Sequence, residues 1–280
     1  MRLATVSYAG ATSAARVEGD KVVLLPEPDL GALLARTDWR EHAATAGRLT
    51  TTREDVRFAA TVPSPRKILC AGLNYRSHIA ETGRAEPTHP FFFPKFDNSL
   101  IGAYDDIPLP AISDSVDWEA ELTLVIGSPA RRVAEGEALR HVAGYTVMND
   151  VSVREWQKHG PTWTAGKAFE GMTPVGPVLL TTDELPDGEP DLAITCSIDG
   201  TEVQRGRTSD LLFGVAELVA YLSQVMTLMP GDLIATGTPA GIGSARTPPR
   251  FLKPAELLRT EIEGIGELAN RCVEEVPAQW

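Results

Sequence analysis

Two glutamates in the segment DWEAELTLVIG, Glu119 and Glu121, are the first residues whose types and spacing point to chemistry. They stand two positions apart at the head of an apolar strand, where the pleat turns alternate side chains to the same face. Two like charges side by side are costly unless a cation lies between them. Acidic pairs of this spacing also occur on exposed strand edges, so an ion site needs a third ligand.

Asp150 is the candidate for that third ligand. It closes the strand AGYTVMND, where a carboxylate can project from a rigid strand end into a cleft, although an aspartate there could equally start a turn. Three carboxylates without cysteine or paired histidine are typical of sites for Mg²⁺, Mn²⁺ or Ca²⁺ rather than for zinc. The sequence therefore predicts a hard-cation site, with Mg²⁺ as the first choice and Mn²⁺ or Ca²⁺ as alternatives.

A histidine, a glutamate and a lysine elsewhere in the chain are candidates for acid–base work. His78 and Glu81 in GLNYRSHIAE are three residues apart, so one helical turn would pair an imidazole base with an orienting carboxylate. An isolated pair of this kind is more often a surface feature. Lys167 in AGKAFEGM could hold a buried ammonium beside an anionic substrate, although a lone lysine is usually solvated.

Three common catalytic motifs are missing from the sequence. Gly160 lies one residue too far from Gly166 and Lys167 for a phosphate loop, and no GxSxG elbow occurs. The segment GTPAGIG, residues 237–243, lacks GxGxxG spacing and a following helical pattern, which disfavours a dinucleotide fold. Its glycines and the Thr238 hydroxyl could still approach a ligand closely.

The elements that must position these residues are mostly strands. Short apolar runs alternate with Pro/Gly turns: RKILCAG, PFFFPK, LTLVIG, AGYTVMND, VGPVLLTT, LAITCSIDG and DLIATGT. This pattern predicts an α+β, β-rich fold. One longer helix is expected from the apolar residues that recur between Leu211 and Met226, with Ser209 and Asp210 as its N-terminal cap and an end near Pro230 and Gly231. A turn is expected at Asp187 and Gly188.

The prolines at 63 and 65 mark a domain boundary, because two prolines in three residues forbid helix and favour an extended connection. Residues 1–62 would form a small N-terminal α/β module, with a hairpin from RLATVSYAG and ARVEGDKVVLLP and helical spacing through Leu30, Leu33 and Leu34. Residues 63–280 would form the larger domain that carries every candidate site residue.

Composition narrows the range of partners. The formal net charge is −12, with no basic run that could follow a phosphate backbone, so nucleic acid is not expected. No apolar stretch approaches the roughly 20 residues that a membrane helix needs, and the N-terminus does not resemble a signal peptide. Cys70, Cys196 and Cys272 form no CxxC pair and are expected as small buried residues. We therefore expect a cytoplasmic protein.

Seven segments, taken in order, resemble the fumarylacetoacetate hydrolase family, in particular its acylpyruvate hydrolase and 2-hydroxyhepta-2,4-diene-1,7-dioate isomerase-like branch. They are GLNYRSHIAE, FPKFDNSLIG, VDWEAELTLVIG, AGYTVMNDVSVREWQ, GKAFEGMTPVGP, LMPGDLIATGTPAGIG and EIEGIGELAN. The resemblance implies a mixed β-sandwich roll for the larger domain, a homodimer, and Mg²⁺ or Mn²⁺ held by Glu119, Glu121 and Asp150.

The resemblance also implies roles for the remaining candidates. His78 and Glu81 match a catalytic dyad on a lid that orders over the substrate. Lys167 matches the family's catalytic lysine. The substrate-binding residues implied in the same way are Arg154, Gln157 and Thr238. Relatives commonly read GKSFD where this chain has GKAFE, so Ala168 and Glu170 put the substrate pocket rather than the ion site in question.

The expected function is hydrolysis of a C–C bond in an acylpyruvate-type 2,4-dioxo acid through a metal-stabilised enolate. The same site could isomerise a 2-hydroxy-dienedioate or decarboxylate oxaloacetate, because these reactions share one charged intermediate. A non-catalytic, metal-stabilised binding protein is the alternative of another class. That alternative is weaker, since a purely structural ion has no use for His78, Glu81 and Lys167 together.

Overall fold

The computed structural model describes residues 1–186 and 189–276, so the turn expected at Asp187 and Gly188 lies outside the described residues. Its strands in chain order are β1 (Arg2–Tyr8), β2 (Ala11–Glu18), β3 (Lys21–Leu24), β4 (Leu49–Thr52), β5 (Arg57–Phe58), β6 (Ile68–Gly72), β7 (Phe91–Lys95), β8 (Leu100–Ile101), β9 (Ile107–Leu109), β10 (Val116–Asp117), β11 (Ala120–Ile126), β12 (Val142–Asn149), β13 (Ser152–Val153), β14 (Thr173–Thr181), β15 (Ala193–Ile198), β16 (Thr201–Arg207), β17 (Leu233–Ala235), β18 (Leu257–Ile262) and β19 (Gly266–Glu274).

The α-helices are shorter and mostly peripheral. They are α1 (Leu30–Leu34), α2 (Trp39–Thr45), α3 (Arg76–Thr82), α4 (Glu135–Ala138), α5 (Arg154–Gln157), α6 (Thr164–Lys167) and α7 (Val215–Val225). In the described part of the chain, no helix is both long enough and apolar enough to cross a membrane.

Two large sheets pack against each other and enclose the core. The larger has 12 strands in the order β4-β3-β2-β1-β14-β12-β11-β17-β6-β7, with β5 beside β1 and β8 beside β14. The smaller has five strands in the order β16-β15-β18-β19-β9. Strands β11, β12 and β14 contact β15, β18 and β19 across the interface. The strand-rich α+β sandwich expected from the sequence is confirmed.

Strands β11, β12 and β14 are mostly apolar because both of their faces are covered. Every residue of the three strands is buried. Such continuous burial explains why apolar residues occupy both faces of these strands rather than alternating with exposed polar ones. Buried central strands are also a rigid base for side chains at their ends, and β11 and β12 carry the candidate carboxylates.

The N-terminal hairpin forms as expected but continues into a third strand. Strand β1 pairs with β2 from Leu3 opposite Arg16 to Tyr8 opposite Ala11, and a second turn at Gly19 and Asp20 leads into β3. Strand β1 also pairs with β14, so one sheet runs through residues on both sides of position 62. The division at residues 62 and 63 stays a prediction about domains.

The start of the long helix differs from the sequence expectation. Helix α7 begins at Val215, whereas Ser209 and Asp210 lie in a separate 3-10 turn and cap nothing in α7. The first amides of α7 instead donate to Glu189, at 2.7 Å from both Val215 N and Ala216 N. The Leu212 amide donates to the Asn74 carbonyl at 2.8 Å instead of to a helical neighbour. The apolar spacing before Val215 therefore reflects packing against a distant segment and not a helix.

Candidate metal centre and catalytic site

The three predicted carboxylates meet at one point inside the protein. Oxygen atoms of Glu119, Glu121 and Asp150 lie within 4.8 Å of one another, and all three residues are buried. The pairing of β11 with β12 produces this convergence, since Ala120 is opposite Asn149. The Asp150 amide then donates to the Glu119 carbonyl over 2.8 Å, just beyond the paired residues. The alternative of a solvated strand edge is wrong.

Asn149 lies where β11 and β12 meet. No sequence pattern marked it as a site residue. Its Oδ1 accepts a hydrogen bond from the Glu119 amide at 2.9 Å, and its Nδ2 donates to Thr260 Oγ1 on β18 at 2.9 Å. Because both bonds are buried, removing the amide would leave unpaired polar groups. Asn149 therefore fixes the backbone from which Glu119 projects.

Two buried lysines neutralise part of the carboxylate charge. Lys167 Nζ donates to Glu119 Oε2 at 2.6 Å and to Asp150 Oδ2 at 2.7 Å. Lys95 Nζ donates to Asp150 Oδ1 at 2.6 Å. The ammonium expected at Lys167 is thus buried as predicted. Lys95 was missed, although its position at the end of the apolar strand PFFFPK is a usable signal.

The pKa values of Glu119 and Glu121 are shifted in opposite directions. Burial opposes ionisation of Glu119, but the charges of Lys167 and Arg154 outweigh it and lower the pKa of Glu119 to about 2. Burial raises the pKa of Glu121 well above its ordinary value, and the charges of Asp150 and Glu119 raise it further. Glu121 is therefore the carboxylate that lacks compensation.

These observations fit a hard divalent cation. Among the residues that the structure describes, Glu121 has no lysine or arginine within ion-pair distance, and its Oε2 accepts only the Gly237 amide at 2.8 Å. Buried carboxylates without a counter-charge are unfavourable, and carboxylate oxygens are the preferred ligands of Mg²⁺ and Mn²⁺. Glu119, Glu121 and Asp150 are the residues that would hold the ion.

The glycine-rich loop at 237–243 organises three carboxylates of the site. It was expected to approach a ligand, but its amides bind the protein's own side chains. Positive φ angles of 101° at Gly237 and 107° at Gly241 are tolerated because neither residue has a Cβ. The amide donors and their acceptors are Gly237 to Glu121 at 2.8 Å, Gly241 to Glu81 at 2.9 Å and Gly243 to Asp117 at 2.7 Å.

Arg154 lies in the same cluster and is held by an aspartate that the sequence analysis missed. Its Nε donates to Asp117 Oδ2 at 2.7 Å, and its Nη1 donates to Glu119 Oε1 at 2.7 Å and to Gln157 Oε1 at 3.0 Å. Asp117 is fully buried and also accepts the amides of Gly243 and Ser244. The predicted substrate residues Arg154 and Gln157 are thus brought together.

The predicted pair of His78 and Glu81 forms on helix α3. His78 Nδ1 lies 3.3 Å from Glu81 Oε2 within α3, one helical turn apart as the spacing predicted. Glu81 is itself anchored through the Gly241 amide. When Glu81 accepts the Nδ1 proton, Nε2 keeps its lone pair and can act as a base.

Thr238 also lines the cavity and is held by Gln204, a residue that no sequence pattern marked. Its Oγ1 accepts a hydrogen bond from Gln204 Nε2 at 2.8 Å. Gln204 Oε1 in turn accepts the Ala120 amide at 3.0 Å, which connects the glycine-rich loop to strand β11. Gln204 comes from β16 in the smaller sheet, so only the packing of the two sheets reveals this contact.

These side chains surround one cavity of about 820 Å³. Seven of the predicted site residues line it: His78, Glu119, Glu121, Arg154, Gln157, Lys167 and Thr238. The other two do not line it, since Glu81 lies behind His78 and Asp150 is bonded to the two lysines. Phe93, Trp163 and Phe251 add an apolar part. Neither Ala168 nor Glu170 lines the cavity, so the doubt that GKAFE cast on the pocket finds no support in the geometry.

Known proteins resemble this chain along most of its length. The family model described as fumarylacetoacetate (FAA) hydrolase C-terminal matches residues 67–273. The human protein named oxaloacetate tautomerase FAHD2A, mitochondrial, is 43% identical over 223 residues, which cover 79% of this chain and 71% of the human protein.

Two solved structures extend the similarity to the whole fold. A fumarylacetoacetate hydrolase from Exiguobacterium antarcticum superposes with a TM-score of 0.86 at 31% identity, covering 98% of this chain and 100% of that one. A 5-carboxymethyl-2-hydroxymuconate delta-isomerase from Mycobacterium smegmatis gives a TM-score of 0.81 at 32% identity with the same coverage.

The chain therefore belongs to the fumarylacetoacetate hydrolase family, as its motifs indicated, and it is an enzyme of that family. Family membership confirms the expected fold and the class of small keto-acid substrates.

Proposed function

We propose that this enzyme forms and reprotonates the enolate of a small 2-oxo acid with the help of a divalent cation, and that oxaloacetate keto–enol tautomerisation is its leading reaction. One observation carries the proposal: two carboxylates of the buried cluster, Lys167 and the histidine of the histidine–glutamate pair line a single cavity. The name of the human relative supports oxaloacetate as the substrate.

An ion held by Glu119, Glu121 and Asp150 would supply positive charge that stabilises the enolate oxygen. Mg²⁺ is the proposed ion, with Mn²⁺ or Ca²⁺ as alternatives, because the donor atoms are all carboxylate oxygens.

Lys167 contributes fixed positive charge rather than a base. Burial alone would lower the pKa of Lys167, but the charges of Asp150 and Glu119 raise it above its ordinary value. The side chain therefore remains an ammonium at neutral pH. From its position between two carboxylates, it can donate a hydrogen bond to an anionic oxygen of the substrate.

His78 is the proposed base. Nε2 takes a proton from C3 of the 2-oxo acid, the electron pair moves into the C2–C3 bond, and the C2 oxygen becomes the enolate oxygen. Protonation of that oxygen gives the enol, and the reverse sequence gives the keto form. Glu81 keeps the imidazole oriented and stabilises its charged form.

Arg154, Gln157 and Thr238 are the proposed substrate-binding residues. Arg154 Nη2 is buried and has no hydrogen-bond partner among the described residues, although it lies beside the cavity. A buried guanidinium nitrogen without a partner is unfavourable unless an acceptor arrives. A substrate carboxylate is such an acceptor, and its binding would hold C3 near His78.

Hydrolysis of an acylpyruvate is the second candidate. The cavity has room beyond a four-carbon acid, and a fumarylacetoacetate hydrolase is among the similar structures. In this reaction His78 takes a proton from water, whose oxygen attacks the distal carbonyl. The C–C bond then breaks, its electron pair leaves as pyruvate enolate, and a proton completes pyruvate beside the released acid. Decarboxylation or dienedioate isomerisation would use the same enolate.

The test is a substrate panel with purified protein and Mg²⁺, with and without chelator. Oxaloacetate is followed by the ultraviolet absorbance of its enol, and acetylpyruvate by release of pyruvate and acetate. Faster enol–keto exchange that is lost in the His78→Ala variant supports tautomerisation. If no 2-oxo acid reacts while the chelator still lowers the melting temperature, the non-catalytic binding protein becomes the better interpretation.

A homodimer and a cytoplasmic location complete the proposal. Light scattering after size-exclusion chromatography tests the dimer, and fractionation of the source cells tests the location.

A further inference from the structure

Trp163 forms the far wall of the cavity and is held in an unfavourable backbone conformation. Its φ of 61° lies in the left-handed region, which costs free energy for a bulky residue and is often found at functional sites. It stands immediately before α6, the helix that ends at Lys167. Its ring packs edge-on against Phe91 at 4.7 Å and Phe93 at 5.6 Å between centroids.

Gly72 allows the Trp163 ring to lie directly on the backbone of β6. A Cβ at position 72 would come within 2.5 Å of Trp163 Cζ3 and 2.8 Å of Phe91 Cδ1, which is too close for any side chain. The indole is therefore fixed from two sides. A flat aromatic surface that is held this rigidly at a cavity wall can support another planar group stacked over it.

The Arg84 guanidinium lies over the Trp163 ring. Its Cζ is 5.6 Å from the centre of the Trp163 ring, and the residue lines the cavity. Among the residues that the structure describes, no carboxylate forms an ion pair with Arg84. The guanidinium is positioned over the ring, and its donors form no hydrogen bond with any described residue.

The position of Arg84 connects it to both ends of the cavity. It follows α3 directly after Gly83, whose φ of 64° ends the helix, so it is connected by one residue to the helix that carries His78. Towards the carboxylate cluster, Phe93 lies 5.1 Å from Lys167 Nζ and 5.6 Å from the Trp163 ring. A chain of three contacts thus runs from the catalytic ammonium to the Arg84 guanidinium along one cavity wall.

We propose that Arg84, held on Trp163, binds a second carboxylate at the end of the substrate distant from the ion site. The substrate is then a dicarboxylic 2-oxo acid rather than an acylpyruvate with an uncharged acyl group. This inference rests on the proposed function, because it assumes that Arg154 and Lys167 receive the 2-oxo acid end. Planar guanidinium groups suit this role because they can bind a carboxylate through two parallel hydrogen bonds.

Calorimetric titration measures binding directly and therefore tests the inference separately from turnover. Purified protein with Mg²⁺ is titrated with 2-oxo dicarboxylic acids of five to seven carbons and with 2-oxo monocarboxylic acids of the same lengths. Each pair differs in one terminal carboxylate. The series varies the length of the ligand, so that one member can reach from the ion site to Arg84.

The expected result is that at least one dicarboxylic acid binds about 10- to 100-fold more tightly than its monocarboxylic partner, the size of effect typical of a charged hydrogen bond. Arg84→Met should abolish most of that preference, and Arg84→Lys should keep part of it. Arg53→Met is the matched control, because Arg53 makes a similar contact over the Phe58 ring at 5.0 Å but does not line the cavity.

The outcomes separate the inference from the proposed function. If wild-type protein binds both members of every pair equally, or if Arg84→Met keeps the preference, the distal subsite is wrong while the function stands. If no 2-oxo acid of either kind binds, the proposed function is contradicted and the inference falls with it. Circular dichroism of the exposed Arg84 variants confirms that they are folded.

Discussion

Lys95 donates a hydrogen bond to Asp150 Oδ1 over 2.6 Å, and both side chains are completely buried. The lysine does not line the substrate cavity, whereas Lys167, which binds the other oxygen of Asp150, does. We infer that the two lysines have different tasks. Lys95 would be a permanent counter-charge for Asp150, whereas Lys167 would exchange its carboxylate contacts for a substrate.

Replacing Lys95 tests this division. In Lys95→Met we expect the metal-free protein to lose about 3–5 kcal/mol of unfolding free energy, the usual cost of removing one partner from a buried ion pair. Added Mn²⁺ should stabilise the variant more than the wild type, since a cation replaces the lost charge. Urea denaturation measures both effects. Lys253→Met, at an exposed position, is the control, and equal stability of the two variants would contradict the assignment.

Glu121 should have opposite effects on ion binding and on metal-free stability. In Glu121→Gln we expect Mn²⁺ affinity to fall by at least about tenfold, because one of three charged ligands is lost. The chelated variant should melt no lower than chelated wild type, because burial and the charges of Asp150 and Glu119 raise the pKa of Glu121 and make its ionised form unfavourable. Calorimetry and thermal melting measure the two quantities.

Glu155→Gln is the control for that pair of measurements, since Glu155 lines the cavity but lies outside the carboxylate cluster. Unchanged Mn²⁺ affinity in Glu121→Gln would exclude Glu121 as a ligand.

Asp117 should act on catalysis through Arg154. In Asp117→Asn the guanidinium loses one of its two charged partners and keeps Glu119. We therefore expect kcat/KM to fall by about 10- to 100-fold, equivalent to roughly 1.5–3 kcal/mol, mostly through a higher KM. Steady-state kinetics separate KM from kcat. Asp114→Asn, three residues earlier and exposed, should behave as wild type. A fall in kcat alone would show that Asp117 does more than position Arg154.

His78 should be needed for proton transfer but not for ion binding. In His78→Ala we expect kcat to fall by about 10²- to 10⁴-fold, the usual contribution of a positioned base. Mn²⁺ affinity and melting temperature should stay near wild-type values, because His78 contacts Glu81 and no residue of the carboxylate cluster within hydrogen-bond distance. His89→Ala, at an exposed histidine, is the control. A collapse of stability in His78→Ala would favour a structural role.

Local patterns in the sequence were sufficient for features that depend on one element. The two-residue period of a strand placed Glu119 and Glu121 on one face, and the helical period paired His78 with Glu81. The same reasoning misplaced the start of the long helix. The apolar residues before Val215 have helical spacing, but they satisfy contacts with Asn74 and Tyr75 in a distant segment.

Residues that act across elements left no such signal. Asp117, Asn149 and Gln204 are single polar residues in apolar or mixed segments, and each becomes important only through a partner far away in the chain. A buried polar group is held by whichever donor or acceptor the packing brings near it. Periodicity within one strand cannot identify that partner.

By itself, the sequence determined the strand-rich fold, the family and the three carboxylates, because apolar periodicity and motif order are properties of neighbouring residues. Only the tertiary structure decided that Lys95 and Lys167 share Asp150, that glycine amides at 237–243 bind three carboxylates, and that Arg84 lies over the Trp163 ring. The physical reason is that charge compensation depends on distance in space, and sheet packing sets those distances between residues far apart in the chain.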